Sequence, residues 1–172
     1  MSSPNLHREI HYLVLQYLNE HGFEESAYTL GRETGLYFSL NHFEKMVLEG
    51  KWDEAENYLS GFALVKEILF EMKKQKYLEA LDNNERDKAM DILIKEIKVY
   101  IQGNEKLMKD LSYLLMVDDI RQIIPSYTDV NSIRMKLMAF IKRVILGHPL
   151  LSGKLNLPFI ENIHVCLAST FS

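Results

Sequence analysis

Apolar side chains recur at helical spacing along most of this chain, and glycine-marked stops separate the segments that carry them. In residues 6–20, the apolar positions Leu6, Ile10, Leu13 and Tyr17 fall on one face of an α-helix. Gly22 ends that segment, because glycine readily takes the left-handed conformation that follows a helix. No stretch shows the alternation of polar and apolar residues that is typical of a strand. The pattern predicts an all-α fold.

Further helical segments follow at short intervals. They cover residues 23–33, residues 40–50 with Asn41 as N-cap, and residues 52–60, 64–82, 86–102, 104–116 and 130–146. Short helices are expected near Pro149 and Pro158, where prolines interrupt the chain. Connections of a few residues favour antiparallel helical hairpins. We therefore predict a compact bundle of about nine to eleven helices without a sheet.

The size and charge of the chain exclude several classes of protein. Its 172 residues can bury the core of one domain of ordinary size. Its net charge of −4 gives no general affinity for nucleic acid, whose phosphates are bound by Lys and Arg. The single cysteine, Cys166, has no partner for an internal disulfide, which favours a reducing compartment. No apolar run approaches the roughly 20 residues of a membrane-spanning helix. We expect a soluble intracellular protein that binds neither nucleic acid nor membranes directly.

The residues that could carry chemistry do not form a recognisable catalytic set. His7 and His11 have a spacing that can bind metal, but further ligands are missing from the pattern, which favours two surface histidines. Cys166 lies in an apolar tail near His164 and is interpreted as a small core residue. The chain has no glycine-rich phosphate loop and no nucleophile motif. We predict that it is not an enzyme and uses no metal or cofactor.

The segment 64–82 has two apolar faces. Leu64, Val65, Ile68, Leu69 and Met72 fall within one arc, which predicts a core face. Phe70, Tyr77 and Leu81 project from the opposite side, flanked by Lys66, Lys73 and Lys74. Two interpretations stay open: the helix packs on both sides, or its second face is an aromatic groove with a lysine rim, suited to an apolar peptide with acidic residues.

Two motifs in the first half of the chain resemble known elements. The stretch YLNEHGFEESAYTLGRETG, residues 17–35, resembles a LisH dimerisation motif, and EGKWDEAENYL resembles the CTLH motif that usually follows it. The longer stretches YFSLNHFEKMVLEGKWDEAENYLSGF and FEMKKQKYLEALDNNERDKAMDILIKEIKVY resemble the amino-terminal domain of the plant TOPLESS family of transcriptional corepressors. The resemblance implies a LisH motif at residues 6–38, a CTLH motif at 39–96 and a CRA-like region at 97–172. It makes Trp52 an anchor for one short helix.

The TOPLESS resemblance also implies a function and a set of site residues. Such domains assemble as tetramers, as dimers of dimers, and bind short Leu-x-Leu-x-Leu (EAR-type) repression motifs of transcription regulators in the nucleus. The implied peptide-binding positions are Phe70, Tyr100, Leu107 and Val144. Glu67 replaces a lysine of the family pattern, in a segment between Phe62 and Ile68 that is shorter than in the family. With the residues that flank Phe70, the predicted peptide-binding set is Lys66, Glu67, Phe70, Lys74, Tyr77, Tyr100, Leu107 and Val144, and the predicted LisH dimerisation set is Leu13, Tyr17, Leu18 and Phe23.

Two other functions stay open at the level of sequence. The domain could be an oligomerisation module in which Phe70, Tyr100 and Leu107 are buried and no peptide enters. It could also be a LisH–CTLH scaffold subunit of a ubiquitin-ligase complex, since such subunits have similar CTLH sequences.

Overall fold

The computed structural model describes residues 4–159, and within that range the chain is all helical, as predicted. No strand occurs among these residues. The helices are α1 (Pro4–Glu20), α2 (Glu24–Thr34), α3 (Leu40–Leu48), α4 (Trp52–Ser60), α5 (Lys66–Asp82), α6 (Arg86–Asp91), α7 (Glu105–Leu114), α8 (Val130–Gly147) and α9 (Pro149–Ser152). None of these helices is both long and apolar enough to cross a membrane. Cys166 and His164 lie outside the described residues, and the core role given to Cys166 stays a prediction.

Helices α1 and α2 form a hairpin that contacts the other helices much less than its two members contact each other. Gly22 lies in the turn with a φ of +75°, the left-handed conformation predicted for it. The amide of Phe23 donates to the carbonyl of Leu18 at 2.8 Å, which closes the end of α1. Leu15 of α1 and Ala27 of α2 are fully buried. The hairpin therefore has its own small apolar contact.

The start of α3 differs from the sequence prediction. Ser39 is the N-cap, and its hydroxyl accepts a hydrogen bond from the amide of His42 at 3.3 Å. The prediction of Asn41 as N-cap is therefore wrong, because Asn41 already lies inside the first turn. Helix α4 begins at Trp52 and ends at Ser60, as predicted.

Two apolar clusters form the core, and α5 contributes to both. The first cluster contains Ile68, Leu69 and Met72 of α5 together with buried residues of α3, α4, α8 and α9. The second contains Tyr77, Leu78 and Leu81 together with residues of α6 and α7. Five consecutive residues of α5, 77–81, are all buried, so the second half of α5 packs on both sides, which was one of the two interpretations. Leu64 is 71% exposed, so its assignment to the core is wrong. Helix α5 begins only at Lys66, and Leu64 does not follow its helical phase.

A buried ion pair connects α5 to α8. Two guanidinium nitrogens of Arg134 each lie 2.8 Å from a carboxylate oxygen of Glu79. The indole nitrogen of Trp52 donates to Glu79 at 3.1 Å, and Arg134 also donates to the carbonyl of Leu48 at 3.1 Å. Gly50 lies beside this pair with a φ of +73°, and a Cβ there would collide with the guanidinium of Arg134. Trp52 thus holds α4 to α5 through a polar contact as well as through packing.

The segment after α6 changes its helical winding. Residues Ile92–Ile97 form a π-helical turn and Lys98–Tyr100 form a 3₁₀ turn before the chain reaches α7. A π turn holds more residues than an α turn, so it changes which face the following side chains present. Tyr100, at the end of this segment, packs against both apolar clusters.

Candidate binding groove

A depression of about 600 Å³ lies between the start of α5 and the turn that joins the π segment to α7. Five of the predicted peptide-binding residues line it: Lys66, Glu67, Phe70, Tyr100 and Leu107. Leu64, Leu69, Val99, Ile101, Gln102, Asn104 and Glu56 complete the lining. Residues from two separate parts of the sequence therefore meet in one open site, which we call the groove.

The aromatic part of the groove is formed by Phe70 and Tyr100. Their ring centroids are 6.4 Å apart and their planes are inclined by 47°. Both side chains are half-buried, so part of each ring faces solvent. The ammonium group of Lys74 lies 5.4 Å from the centre of the Phe70 ring, within the range of a cation–π contact. The rings thus have fixed neighbours on one side and an open side toward the groove.

Aliphatic side chains extend this aromatic surface. Leu64 is 71% exposed and Val99 is 61% exposed, both at the edge of the groove. Leu107 lies in the first turn of α7, where the side chain of Asn104 accepts a hydrogen bond from its amide at 3.0 Å. This cap fixes the start of α7 beside the groove. Exposed aliphatic groups around two aromatic rings form a surface that can bind apolar side chains.

The lysines around the groove already have partners. Lys73 is buried, and its ammonium group lies 2.6 Å from Glu56 and 3.2 Å from Glu96. Burial alone would lower the pKa of Lys73, but its hydrogen bonds to Glu56 and Glu96 outweigh burial, and the pKa is raised. Lys74 pairs with Glu71 at 2.6 Å. The prediction of a lysine rim is therefore wrong for Lys73, which is buried. At Lys74 the positive charge is neutralised by Glu71.

A network of charges continues along α4 and α5. Lys76 lies 2.8 Å from Asp53 and 3.0 Å from Glu96. Among the described residues, Asp53, Glu56 and Glu96 form the one group of carboxylates close enough together to hold a metal ion. The ammonium groups of Lys73 and Lys76 already form ion pairs with these three carboxylates, so we interpret the cluster as an ion-pair network.

Tyr77 does not face the groove. Its side chain is fully buried in the second cluster, and its hydroxyl donates to the carbonyl of Leu111 at 2.6 Å. Burial raises the pKa of Tyr77 well above its usual range. Its prediction as a peptide-binding residue is wrong, because the side chain joins α5 to α7. Leu81, which shares its face, is also buried.

Val144 lies apart from the groove. It is half-buried on α8 and packs against the first cluster, with no part in the lining. The structure therefore does not include Val144 in the lining that Phe70, Tyr100 and Leu107 share, although Val144 and Tyr100 both pack against the first cluster. Its role in peptide binding had been implied only by resemblance.

The predicted LisH residues lie on the outside of the α1–α2 hairpin. Tyr17 is 48% exposed and Phe23 is 53% exposed, while Leu13 and Leu18 are half-buried. Val14 and Ile10, one and two turns before Tyr17 on the same helix, are exposed as well. Ile10, Val14 and Tyr17 share one face of α1 by their helical spacing, and with Phe23 in the turn that follows they are the exposed large apolar residues of the described hairpin.

Comparison with known sequences decides the family of this chain. Residues 39–155 match the TPR1-like, CTLH-containing domain, and residues 9–34 match LisH. The chain belongs to the TPR1-like, CTLH-containing family. Relatives of this TPR1-like chain include TOPLESS-RELATED PROTEIN 2 of Oryza sativa subsp. japonica, which is 43% identical over 162 residues, covering 90% of this chain and 14% of the relative.

Two Arabidopsis thaliana proteins show a similar match to the TPR1-like chain. Topless-related protein 2 is 42% identical over 162 residues, which is 90% of this chain and 14% of that protein. Protein TOPLESS is 41% identical over 166 residues, which is 92% of this chain and 15% of that protein. The chain thus spans about one seventh of the length of these curated relatives. The TOPLESS resemblance is confirmed.

Sequence reasoning missed several residues of the groove. Leu64 was assigned to the core, and Val99, Gln102 and Asn104 were not considered. Gln102 and Asn104 are polar, so the sequence did not indicate that they line an apolar site. The π-helical turn was the missing information, because a regular α-helix would place the residues after Ile97 on a different face.

Proposed function

We propose that this TPR1-like domain is a transcriptional corepressor adaptor that binds Leu-x-Leu-x-Leu repression motifs in the groove. The observation that carries the proposal is that Phe70, Tyr100 and Leu107 line one open depression of about 600 Å³. The TOPLESS resemblance implies the same three residues as peptide-binding positions. Their convergence favours a working site over the alternative in which all of them are buried.

Leucine side chains suit this groove chemically. An alternating leucine motif in an extended conformation presents every second side chain to one face. Burying one leucine contributes about 1.5–3 kcal/mol of binding free energy, and ordering the peptide removes part of that sum. We expect an affinity on the order of micromolar for one groove and one motif.

We propose that the exposed face of the α1–α2 hairpin pairs with the same face of a second copy. The face contains Ile10, Val14, Tyr17 and Phe23, and its burial would remove an apolar patch from water. Further association of such dimers would give the tetramer that the family resemblance implies. Several grooves in one assembly would strengthen binding to targets that carry several motifs.

In this proposal the domain acts in the nucleus and binds repressor proteins, and it does not contact nucleic acid or membranes directly. Its division into LisH (6–38), CTLH (39–96) and CRA-like (97–172) parts belongs to the same proposal. The matched CTLH-containing region runs to residue 155 and so crosses the proposed boundary at residue 96. No metal, cofactor or enzymatic step enters this function.

Photo-crosslinking tests where the peptide binds. A Leu-x-Leu-x-Leu peptide in which one leucine is replaced by photo-leucine is irradiated with the domain, and the attachment sites are mapped by mass spectrometry. We expect attachment within residues 64–70 and 99–107, competed by the unlabelled leucine peptide and not by its alanine version. Attachment confined to α1 and α2, or equal competition by the alanine peptide, would contradict the proposal.

A further inference from the structure

More acidic than basic side chains line the groove. Among the lining residues, Glu56 and Glu67 are acidic and Lys66 is basic. Lys66 and Glu67 are exposed at the start of α5. No ion pair is found for Glu67 within residues 4–159. Its carboxylate is therefore available to a bound partner.

The neighbouring ion-pair network does not reverse this imbalance. Glu56 accepts from Lys73, but the same lysine also binds Glu96, and Glu96 shares Lys76 with Asp53. The network thus holds three carboxylates and two ammonium groups. This network therefore carries one excess negative charge, and its member Glu56 lines the groove together with Glu67. Lys66, which like Glu67 has no ion pair among the described residues, is the one basic residue of the lining.

We propose that Glu67 makes this groove select leucine motifs with lysine or arginine beside the leucines. This inference rests on the proposed peptide-binding function and names the class of motif. The leucines contact Phe70, Tyr100 and Leu107, while the basic side chain lies near Glu67 and Glu56. The alkyl part of a lysine or arginine packs along apolar surface while its charge stays in water, which suits an edge formed by the exposed Leu64.

The size of the effect follows from the exposure of Glu67. Ion pairs between solvent-exposed side chains contribute little, which corresponds to about a two- to fivefold change in affinity. Salt weakens such pairs, so the preference should shrink at high ionic strength. The contribution therefore affects the choice of motif, while the apolar contacts supply most of the affinity.

Two labelled peptides test this selection. They share one Leu-x-Leu-x-Leu core and differ only in the residues on both sides, which are lysine in one peptide and glutamate in the other. An alanine version of each peptide measures binding without the leucines. We expect the lysine peptide to bind the wild-type domain about two- to fivefold more tightly at low salt, with a smaller difference at about 0.5 M NaCl.

Two charge variants locate the effect. Glu67→Lys should abolish or reverse the preference for the lysine peptide. Glu33→Lys makes the same change in net charge at an exposed position of α2 outside the groove lining and should preserve most of the preference. This control is needed because the net charge of −4 attracts any basic peptide. Melting temperatures are compared as well, because Glu67 in the first turn of α5 interacts favourably with the helix dipole and Glu67→Lys loses that stabilisation.

Equal affinity of the wild-type domain for the two leucine peptides, or tighter binding of the glutamate peptide, would overturn the selection while leaving the proposed function intact. A preference that survives in Glu67→Lys would also overturn it. If neither leucine peptide binds more tightly than its alanine version, the proposed function fails, and the selection fails with it.

Discussion

The rings of Phe70 and Tyr100 lie 6.4 Å apart, centre to centre, although one belongs to α5 and the other follows the π-helical turn of a different segment. Both rings keep an exposed part, whereas Tyr77, two turns after Phe70 on the same helix, has none. We therefore expect Phe70 to act in peptide binding and Tyr77 to act in the core, and exchanging each side chain tests this expectation.

The variant Phe70→Gln should lose peptide binding and keep its fold. The half-buried ring contributes apolar contact area at the centre of the groove, and truncating such an aromatic residue typically weakens binding about tenfold or more. The affinity for a leucine peptide and the circular dichroism spectrum of the variant are measured together. Loss of helical structure in Phe70→Gln would favour the alternative in which the residue belongs to the core.

The variant Tyr77→Phe is the matched control and should show the opposite pattern. It removes the hydroxyl that donates to the carbonyl of Leu111 at 2.6 Å and leaves that carbonyl without its partner. We expect a loss of about 1–2 kcal/mol in the free energy of unfolding, with unchanged affinity for the peptide. Weaker peptide binding at unchanged stability would restore Tyr77 to the groove.

The helices could be read from the sequence more completely than the groove could. Glycine at position 22 and the apolar spacing of residues 6–20 depend on local physics, so the positions of α1 and α2 followed from them. The burial of Tyr77 depends on α7, which lies far along the chain and whose Leu111 carbonyl accepts a hydrogen bond from the Tyr77 hydroxyl. Helical periodicity cannot show this, because both residues lie on the same apolar face.

The charged part of the groove was the least predictable. Lys66, Lys73 and Lys74 look equivalent in the sequence, yet Lys73 is buried between Glu56 and Glu96, and Lys74 pairs with Glu71. Ion pairing depends on residues that are distant in sequence, as Lys73 and Glu96 are. The family resemblance supplied Tyr100 and Leu107, which no periodicity connects to Phe70.

Breaking the buried pair between Arg134 and Glu79 should strongly destabilise the fold. Their side chains are 17% and 11% exposed, so removing one partner would leave the charge of the other poorly solvated. We expect Arg134→Met to reduce the free energy of unfolding by about 3–5 kcal/mol. Urea denaturation of Arg134→Met, Glu79→Leu and the double variant measures the coupling between the two residues.

The double variant is informative because its loss in the free energy of unfolding should be smaller than the sum of the losses in the two single variants. Removing both charges leaves neither of them buried without a partner, although Trp52 then loses its acceptor on Glu79. Strictly additive losses would contradict the assignment of a coupled pair.

The stability of the chain should fall as the pH drops below about 6.5, in part because of His42. Its ring stacks on Tyr28 with centroids 4.0 Å apart and meets the edge of Tyr58 at 5.0 Å. Burial lowers the pKa of His42 below 6.5, and Lys45 acts in the same direction, while the acidic residues facing the ring, Glu24, Glu25 and Glu54, oppose it. The folded state therefore takes up the proton less readily than the unfolded state.

The sign of this dependence follows from linkage. The contribution of His42 is present in full above a pH of 6.5, its unfolded pKa, and is lost as the pH falls toward the lower pKa of the folded state. His42→Phe keeps a ring between the two tyrosines and removes the titrating group. The melting temperature of the wild-type chain should fall more on acidification than that of His42→Phe. Equal falls would show that other groups carry the dependence.

The exposed face of the α1–α2 hairpin should control self-association. Changing Tyr17 and Phe23 together to serine removes two large apolar groups that are 48% and 53% exposed. Light scattering coupled to size-exclusion chromatography should show a smaller assembly than for the wild-type chain, at the same protein concentration. Met135→Ser removes an exposed apolar group from α8 instead and serves as the control. An unchanged mass of the double variant would contradict the role of this face.

The central claim is that the groove binds a leucine motif, and a fluorescence-anisotropy titration tests it most directly. A labelled Leu-x-Leu-x-Leu peptide and its alanine version are titrated with the folded domain under the same conditions. We predict saturable binding of the leucine peptide with a Kd on the order of micromolar and no saturation with the alanine peptide. If the folded domain binds neither peptide, or both equally, the claim is contradicted and the domain is better described as an oligomerisation module.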